Sequence, residues 1–238
     1  MRRIILELDR VSCFYRIPSS ESFQAVKEVS FQVREGEILG LMGPSGSGKS
    51  TLARAILGTF PDCRGKVTYK GEEVYGKAWR RRRMKPIQMV LQDSRSSMNP
   101  RMSLFASMEE PLLLSGIRER GRRRSKVEEI CQLVGLDLET AMKLPGECSG
   151  GQRQRANIGR ALVLSPELLI CDEPVSSLDA SIQAQIVNLL KSVSRSTGMT
   201  MIFVSHDEDL VRFLCDRIII MDENGRVTRV TEKKLEAP

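Results

Sequence analysis

Gly43, Gly48, Lys49 and Ser50 stand at the fixed positions of the pattern G-x-x-x-x-G-K-[ST], within Gly43-Pro44-Ser45-Gly46-Ser47-Gly48-Lys49-Ser50-Thr51. Glycines at these places let the backbone curl until successive N–H groups point inward, and a helix start adds the positive end of its dipole. Lys49 is then placed to reach the β- and γ-phosphates of a nucleoside triphosphate, and the Ser50 hydroxyl to complete a Mg²⁺ shell. Further along, the apolar run Leu168-Leu169-Ile170-Cys171 ends in two adjacent carboxylates, Asp172 and Glu173. Beside a phosphate loop such a pair offers a Mg²⁺ ligand and a general base. The spacing, 172 − 49 = 123 residues, leaves room for an insertion between the two motifs. Three weaker signals accompany them. Gln92 and His206 each follow an apolar run, and Ser149-Gly150-Gly151-Gln152 begins a helical pattern. A glycine pair at a helix start can hold an anion, although it also serves as a plain turn, and a lone histidine often only caps or packs. Tyr15, in strand-like sequence, could offer a face to an adenine or simply pack.

The elements that must position these groups are legible as apolar runs and breakers. Residues 37–42 read as a buried strand between Gly36 and Gly43, and residues 51–57 as a helix stopped by Gly58. At the front, residues 4–8, 11–15 and 29–33 predict an antiparallel sheet, with a polar turn over residues 18–22. Residues 66–69 predict a further strand, residues 79–85 a charged helix ended by Pro86, and residues 87–91 a strand running into Gln92 and Asp93. Residues 94–100 read as a loop. From residue 104 to about 144 strand signals are absent. Helical patterns at 112–114 and around Val127, Ile130, Cys131 and Val134, separated by a basic tract, predict a small helical subdomain inserted into the core. A helix stopping before Pro166, a helix over 180–196, a strand over 199–204 and a terminal hairpin over 217–221 and 226–230 complete the pattern. Ends of parallel strands converge on the ligand in open α/β sheets, which is where Gln92, Glu173 and His206 fall.

Composition sets the bounds. At 238 residues, 41% hydrophobic and 28% charged, the chain suits one large globular domain. It holds no apolar run of about 18 residues, and its first residues do not read as a signal peptide. The six cysteines, Cys13, Cys63, Cys131, Cys148, Cys171 and Cys215, show no C-x-x-C spacing and face a single histidine, which argues against zinc. They read mostly as small buried hydrophobes in a reducing compartment. The net charge of +7 comes largely from Arg80 to Arg83 with Lys85, and from Arg118, Arg120, Arg122 to Arg124 with Lys126. Such clusters suit nucleic acid, an anionic membrane face, or an ordinary solvated helix. With only Trp79 beside them, base stacking is poorly served.

The order of these motifs, from Leu8 to about Val230, resembles the ATP-binding subunit of ATP-binding-cassette (ABC) transporters. Gly43 to Thr51 looks like Walker A, Gln92 the Q-loop glutamine, and Ser149 to Gln152 the signature motif. Leu168 to Asp172 looks like Walker B, Glu173 the catalytic glutamate, Ser177-Leu178-Asp179 the D-loop, and His206 the switch histidine. The resemblance implies an α/β fold, a P-loop NTPase of ABC type with an antiparallel β subdomain. A helical subdomain over about residues 95–150 would be inserted in a RecA-like core, making 1–238 a single domain. It implies ATP and Mg²⁺ as ligands, with Mg²⁺ held by Ser50, Gln92 and Asp172. It also implies a head-to-tail dimer with a second, identical or related ATPase subunit, Ser149 to Gln152 completing the partner's site. Two transmembrane permease subunits and an extracytoplasmic solute-binding protein would follow, with this subunit peripheral on the cytoplasmic face of the membrane. No nucleic acid is expected, since cassettes acting on it usually come in pairs or carry long insertions.

Within the family, Gln92-Asp93-Ser94 and Asn99-Pro100-Arg101 are similar to the oligopeptide, dipeptide and nickel importer class. Ser94, the stretch 210–221 and the chain's end soon after the hairpin favour nickel or metal-chelate import over peptide import. Three positions depart from the family pattern: Cys148 before the signature, Glu208 after His206-Asp207, and Gly159 in the signature helix, where a glycine costs about 1 kcal/mol relative to alanine. None removes a chemical group, so the subunit is expected to be catalytically competent.

Overall fold

The computed structural model describes residues 2–16, 22–82, 84–92 and 97–232. The chain forms two compact units, Met1–Arg82 with Gly198–Pro238, and Arg83–Thr197. The first opens with strands β1 (Ile4–Tyr15), β2 (Phe23–Arg34) and β3 (Ile38–Met42) and helix α1 (Lys49–Leu57), followed by β4 (Cys63–Tyr69), β5 (Glu72–Glu73) and α2 (Lys77–Arg81). The second holds β6 (Ile87–Val90), helices α3 (Leu104–Leu114), α4 (Arg120–Val134), α5 (Leu138–Ala141) and α6 (Gly150–Leu162), strand β7 (Leu168–Asp172) and α7 (Ala180–Thr197). The chain then returns to the first with β8 (Thr200–Ser205), α8 (Glu208–Leu214), β9 (Arg217–Met221) and β10 (Val227–Glu232).

In the first unit an antiparallel sheet runs β2-β1-β4-β5. The two strand pieces expected over residues 4–8 and 11–15 are one strand interrupted by a bulge. Arg10 takes a φ of 47°, and the β1–β2 register shifts between Leu8 and Val11, so Asp9 and Arg10 stay in water while Val11 returns to the core. The expected turn over residues 18–22 lies largely outside the described residues. A second layer places β3 between β8 and β9, both parallel to it, with β10 antiparallel on β9. Ile38, Leu39 and Leu41 are all buried, as a parallel strand covered on both faces requires. Just before β3, Glu37 accepts from Arg34 N (2.7 Å) and pairs with Arg217 Nη2 (2.7 Å), their side chains only 3% and 11% exposed. This buried ion pair joins β9 to the β2–β3 turn.

The first arginine cluster needs a correction. The helix expected over residues 79–85 is α2, which ends at Arg81, with Arg82 already extended; Arg83 lies outside the described residues. Trp79 does not present its face to solvent. It is fully buried, its ring 5.8 Å from that of Tyr69, and is the only buried residue of α2, so it anchors this short helix.

In the second unit α3 starts at Ser103, whose hydroxyl accepts from Ala106 N at 3.1 Å. The basic tract does not separate two helices. It is the first half of α4, where acids hold several of its cations: Arg123 on Glu109 (2.9 Å), Arg124 on Glu128 (2.8 Å) and Lys126 on Glu129 (3.2 Å). Gly159 in α6 has a packing reason. A Cβ there would meet Met108 Sδ of α3 at 2.7 Å and Ile130 Cγ2 of α4 at 3.1 Å, so the glycine lets three helices close on one another. Cys148 is buried before α6 as a small hydrophobe, and Glu208 pairs with Arg212 in α8 on an exposed face instead of disturbing the packing. Strands β6 and β7 pair in parallel, Val90 beside Cys171.

Candidate functional site

The first unit carries the glycine loop between β3 and α1, as the motif requires. Lys49 is 5% exposed, and its ammonium donates to the Gly43 carbonyl (2.8 Å), the Pro44 carbonyl (2.7 Å) and Ser47 Oγ (3.4 Å). The cation is thus stretched back across its own loop, while Pro44, Ser45 and Gly46 stay exposed at the tip. Gly48 caps α1 with no side-chain bond and the first turn holds no acid, so the positive end of the helix dipole meets the loop with no carboxylate of that turn to offset it. The arrangement fits a polyphosphate. Gly48 is required on two counts: its φ is 89°, and a Cβ would sit 2.3 Å from the Ala25 carbonyl oxygen of β2. The same oxygen crowds Gly225 of the β9–β10 turn, where a Cβ would come within 2.2 Å, and Gly225 O in turn accepts from Lys27 N at 2.8 Å. Phosphate loop, β2 and terminal hairpin therefore meet at one backbone atom.

Tyr15 ends β1 and is 41% exposed. Its hydroxyl lies 3.0 Å from Thr51 Oγ1 in the first turn of α1, and its edge rests on Phe60 with centroids 5.1 Å apart. His206 is exposed directly after β8; because Ser205 pairs with Met42, it emerges at the same end of this sheet as Gly43. Asp207 caps α8 by accepting from Leu210 N at 3.1 Å, which positions the histidine from behind.

The second unit carries the acidic strand end. Asp172 closes β7 and is 4% exposed. Glu173 turns out of the strand with a φ of 44° and is half-buried. Gln92, exposed just after β6, donates from Nε2 to Glu173 Oε2 at 3.0 Å and lies 3.5 Å from Ser176 Oγ. Two strand ends expected only to converge are therefore in direct contact. Asp93 and Ser94 lie outside the described residues.

Ser149 caps α6 in a reciprocal pair: its hydroxyl accepts from Gln152 N (3.3 Å) and Gln152 Oε1 accepts from Ser149 N (2.8 Å). Ser149 is exposed, so the helix start faces outward. Added Cβ atoms at Gly150 and Gly151 would meet Leu178 at 3.2 Å and Ile182 at 2.9 Å, which seats the Ser-Gly-Gly turn against the segment bearing exposed Asp179.

Two supporting residues escaped the sequence reading. Ser176 Oγ bonds the Glu173 carbonyl (3.2 Å) besides approaching Gln92. Asn157 of α6, 5% exposed, donates to the Leu91 carbonyl at 3.3 Å and so steadies the backbone ahead of Gln92. A buried asparagine on an apolar helix face was the available signal. Ser50 in the first unit, and Asp172 and Gln92 in the second, each carry an oxygen donor of the hard kind that Mg²⁺ takes.

A family model described as ABC transporter matches residues 26–176. The oligopeptide transport ATP-binding protein OppF of Haemophilus influenzae is 40% identical over 232 residues, 92% of this chain and 70% of that protein. The oligopeptide transport ATP-binding protein AppF of Bacillus subtilis is 41% identical over 238 residues, covering 96% and 72%. Among solved structures, the dimeric post-hydrolysis state of the ATP-binding cassette MJ0796 bound to ADP and Pi superposes with a TM-score of 0.84 at 30% identity, over 96% of this chain and 98% of that one. CbiO1 from Clostridium perfringens, part of the transporter complex cbiONQ, gives 0.83 at 26% identity, over 96% and 88%. The expected lean toward nickel or a metal chelate finds no support here, because these transport relatives carry oligopeptide names. Of its residues, Ser94 is outside the description and the stretch 210–221 forms parts of the ordinary elements α8 and β9. Among the described residues no helix is long and apolar enough to cross a membrane. Motif order, fold and relatives agree: the chain belongs to the ATP-binding subunits of ABC transporters, an α/β family that binds ATP and couples its hydrolysis to transport.

Proposed function

We propose that this chain drives an importer of oligopeptides or dipeptides, working as one half of an ATP-sandwich dimer. The single observation that carries the chemistry is the 3.0 Å bond from Gln92 to Glu173 beside Asp172. It orients the carboxylate that is to accept a proton from the attacking water. Lys49 neutralises phosphate charge and the α1 start binds the phosphate oxygens, while His206 donates to the γ-phosphate. Ser50, Asp172 and Gln92 would hold Mg²⁺, which would supply neutralisation of phosphate charge. Tyr15 stacks on the adenine.

The exposed start of α6, Ser149 to Gln152, serves the nucleotide of a second, identical or related subunit, with Asp179 beside it. Residues 1–238 act as one ATP-binding domain in which about 95–150 is the helical part. Partners are that second ATPase, two transmembrane permease subunits and, through them, an extracytoplasmic binding protein, which places this subunit on the cytoplasmic face of the membrane. The peptide assignment rests on the names of the relatives.

Glu173→Gln tests the mechanism. ATP turnover should fall by about 10²- to 10⁴-fold, the worth of a positioned base, while ATP still binds and holds the dimer closed; wild-type turnover would sink it. For the solute, deletion of the subunit should abolish uptake of a labelled tripeptide and leave nickel uptake intact. The opposite pattern would overturn the peptide reading.

A further inference from the structure

Two cysteines that stand 50 positions apart, 63 − 13, lie side by side in the folded chain. In the β1–β4 ladder Cys13 is directly opposite Cys63. Phe14 N donates to Asp62 O at 3.0 Å, the bond that flanks a non-hydrogen-bonded antiparallel pair. In such a pair the Cα atoms approach to about 4.5 Å, inside the range a disulfide can bridge. The sulfurs are 4.0 Å apart, with the Cys13 thiol donating to Cys63. Cys13 is fully buried and Cys63 half-buried, so one sulfur can meet a small solute and the other cannot.

We propose that Cys13 and Cys63 form a peroxide-responsive dithiol that closes reversibly into a disulfide between β1 and β4. Cys63 is the thiol oxidised first. The Cys13 hydrogen bond, helped by the nearby Tyr75 hydroxyl, lowers it to about 7 against the opposition of burial and of Asp62. Cys13, as the donor in that bond and as a buried group, is pushed well above the ordinary thiol range and keeps its proton. Burial raises Cys131 to about 11, which makes it the poorer nucleophile.

The Cys63 thiolate attacks one oxygen of a hydroperoxide. An S–O bond forms, the O–O bond breaks, and the departing oxygen takes a proton from water, leaving Cys63 as a sulfenic acid. The Cys13 sulfur then attacks the Cys63 sulfur. The S–S bond forms, the S–O bond breaks, and the Cys13 proton leaves with that oxygen as water. Two thiols are oxidised by two electrons and one peroxide is reduced.

The bond would close a loop containing β2, β3, the phosphate loop and α1. It would lie at the junction where Arg16 pairs with Asp62 at 3.1 Å and Tyr15 rests on Phe60. Oxidation is therefore expected to raise the thermal unfolding midpoint of the chain by about 5 °C or more.

The test uses the full reduced chain, native, treated with one equivalent of hydrogen peroxide, blocked with an alkylating agent and digested without reductant. The expected product is the Cys13 peptide joined to the Cys63 peptide, two hydrogens lighter than their sum and separated again by dithiothreitol. In Cys63→Ser, Cys13 should remain a thiol under the same treatment. The proposal falls if the native chain leaves Cys13 and Cys63 unlinked while its other thiols oxidise, or if the link forms only after denaturation. It falls equally if Cys13 in Cys63→Ser reacts as fast as in the wild type.

Discussion

If the exposed Tyr15 ring is the adenine platform, removing it should cost binding in proportion to base stacking and leave phosphate binding untouched. A base stacked on an aromatic side chain is worth about 1–3 kcal/mol, so Tyr15→Ala should weaken ATP about 5- to 150-fold. The structure separates this from the residue's other contacts. The edge contact with Phe60, at 5.1 Å between centroids, contributes about 0.5–1.5 kcal/mol to stability. The hydroxyl bond to Thr51, at 3.0 Å, belongs to the packing of β1 on α1. Tyr15→Phe keeps the ring and loses only that bond, and should hold ATP within about fivefold of wild type, since a net hydrogen bond is worth about 1 kcal/mol at most sites. Calorimetric titration well below the unfolding temperature measures both variants with ATP and with inorganic tripolyphosphate, which lacks the base. Tripolyphosphate affinity should be the same in all three proteins. Unchanged ATP affinity in Tyr15→Ala would refute the stacking role. An equal loss for ATP and tripolyphosphate would show that the ring only shapes the loop.

Glu37→Ala strands the Arg217 guanidinium in a site where its side chain is 11% exposed. Urea denaturation should show a loss of about 3–5 kcal/mol, with ATP affinity of the folded protein unchanged. Gly48→Ala must place a Cβ 2.3 Å from Ala25 O at a φ of 89°, whereas a Cβ at Gly46 meets nothing within 4 Å. The nucleotide-free protein should lose about 3 kcal/mol or more in the first case and about 1–2 kcal/mol in the second. Ser149→Ala removes the cap of α6 and should cost about 1 kcal/mol of stability. Its ATP turnover should fall at least about tenfold, while ATP binding to the single subunit stays at the wild-type level.

Local features were legible in the sequence and pairings across long separations were not. The loop from Gly43 to Thr51 declares itself because strand, glycines, lysine and helix are contiguous, and β7 declares itself as an unbroken apolar run. That Gln92 touches Glu173, 81 positions away, depends on β6 and β7 being neighbours, which neither run encodes. Trp79 was read as the flank of an arginine cluster because its neighbours are charged. Its ring packs beside Tyr69 of β4, a contact that the charged neighbours of Trp79 do not encode. The basic tract looked like a break between helices because five cations crowd Arg120 to Lys126. The acids that hold several of them, Glu109, Glu128 and Glu129, sit on α3 or one turn further along α4. Cys13 and Cys63 looked unrelated until antiparallel register set them opposite each other.

The Ala25 carbonyl oxygen, pressed by Gly48 on one side and Gly225 on the other, makes the molecule's tail mechanically audible at its phosphate loop. Tension on the terminal hairpin, from a fused domain or a tether, would be transmitted through β2 to Gly48, the cap of α1, before any side chain moved. Pulling on the chain from its end should therefore loosen a bound nucleotide at forces below those that unravel the central strands, a coupling that runs through backbone alone.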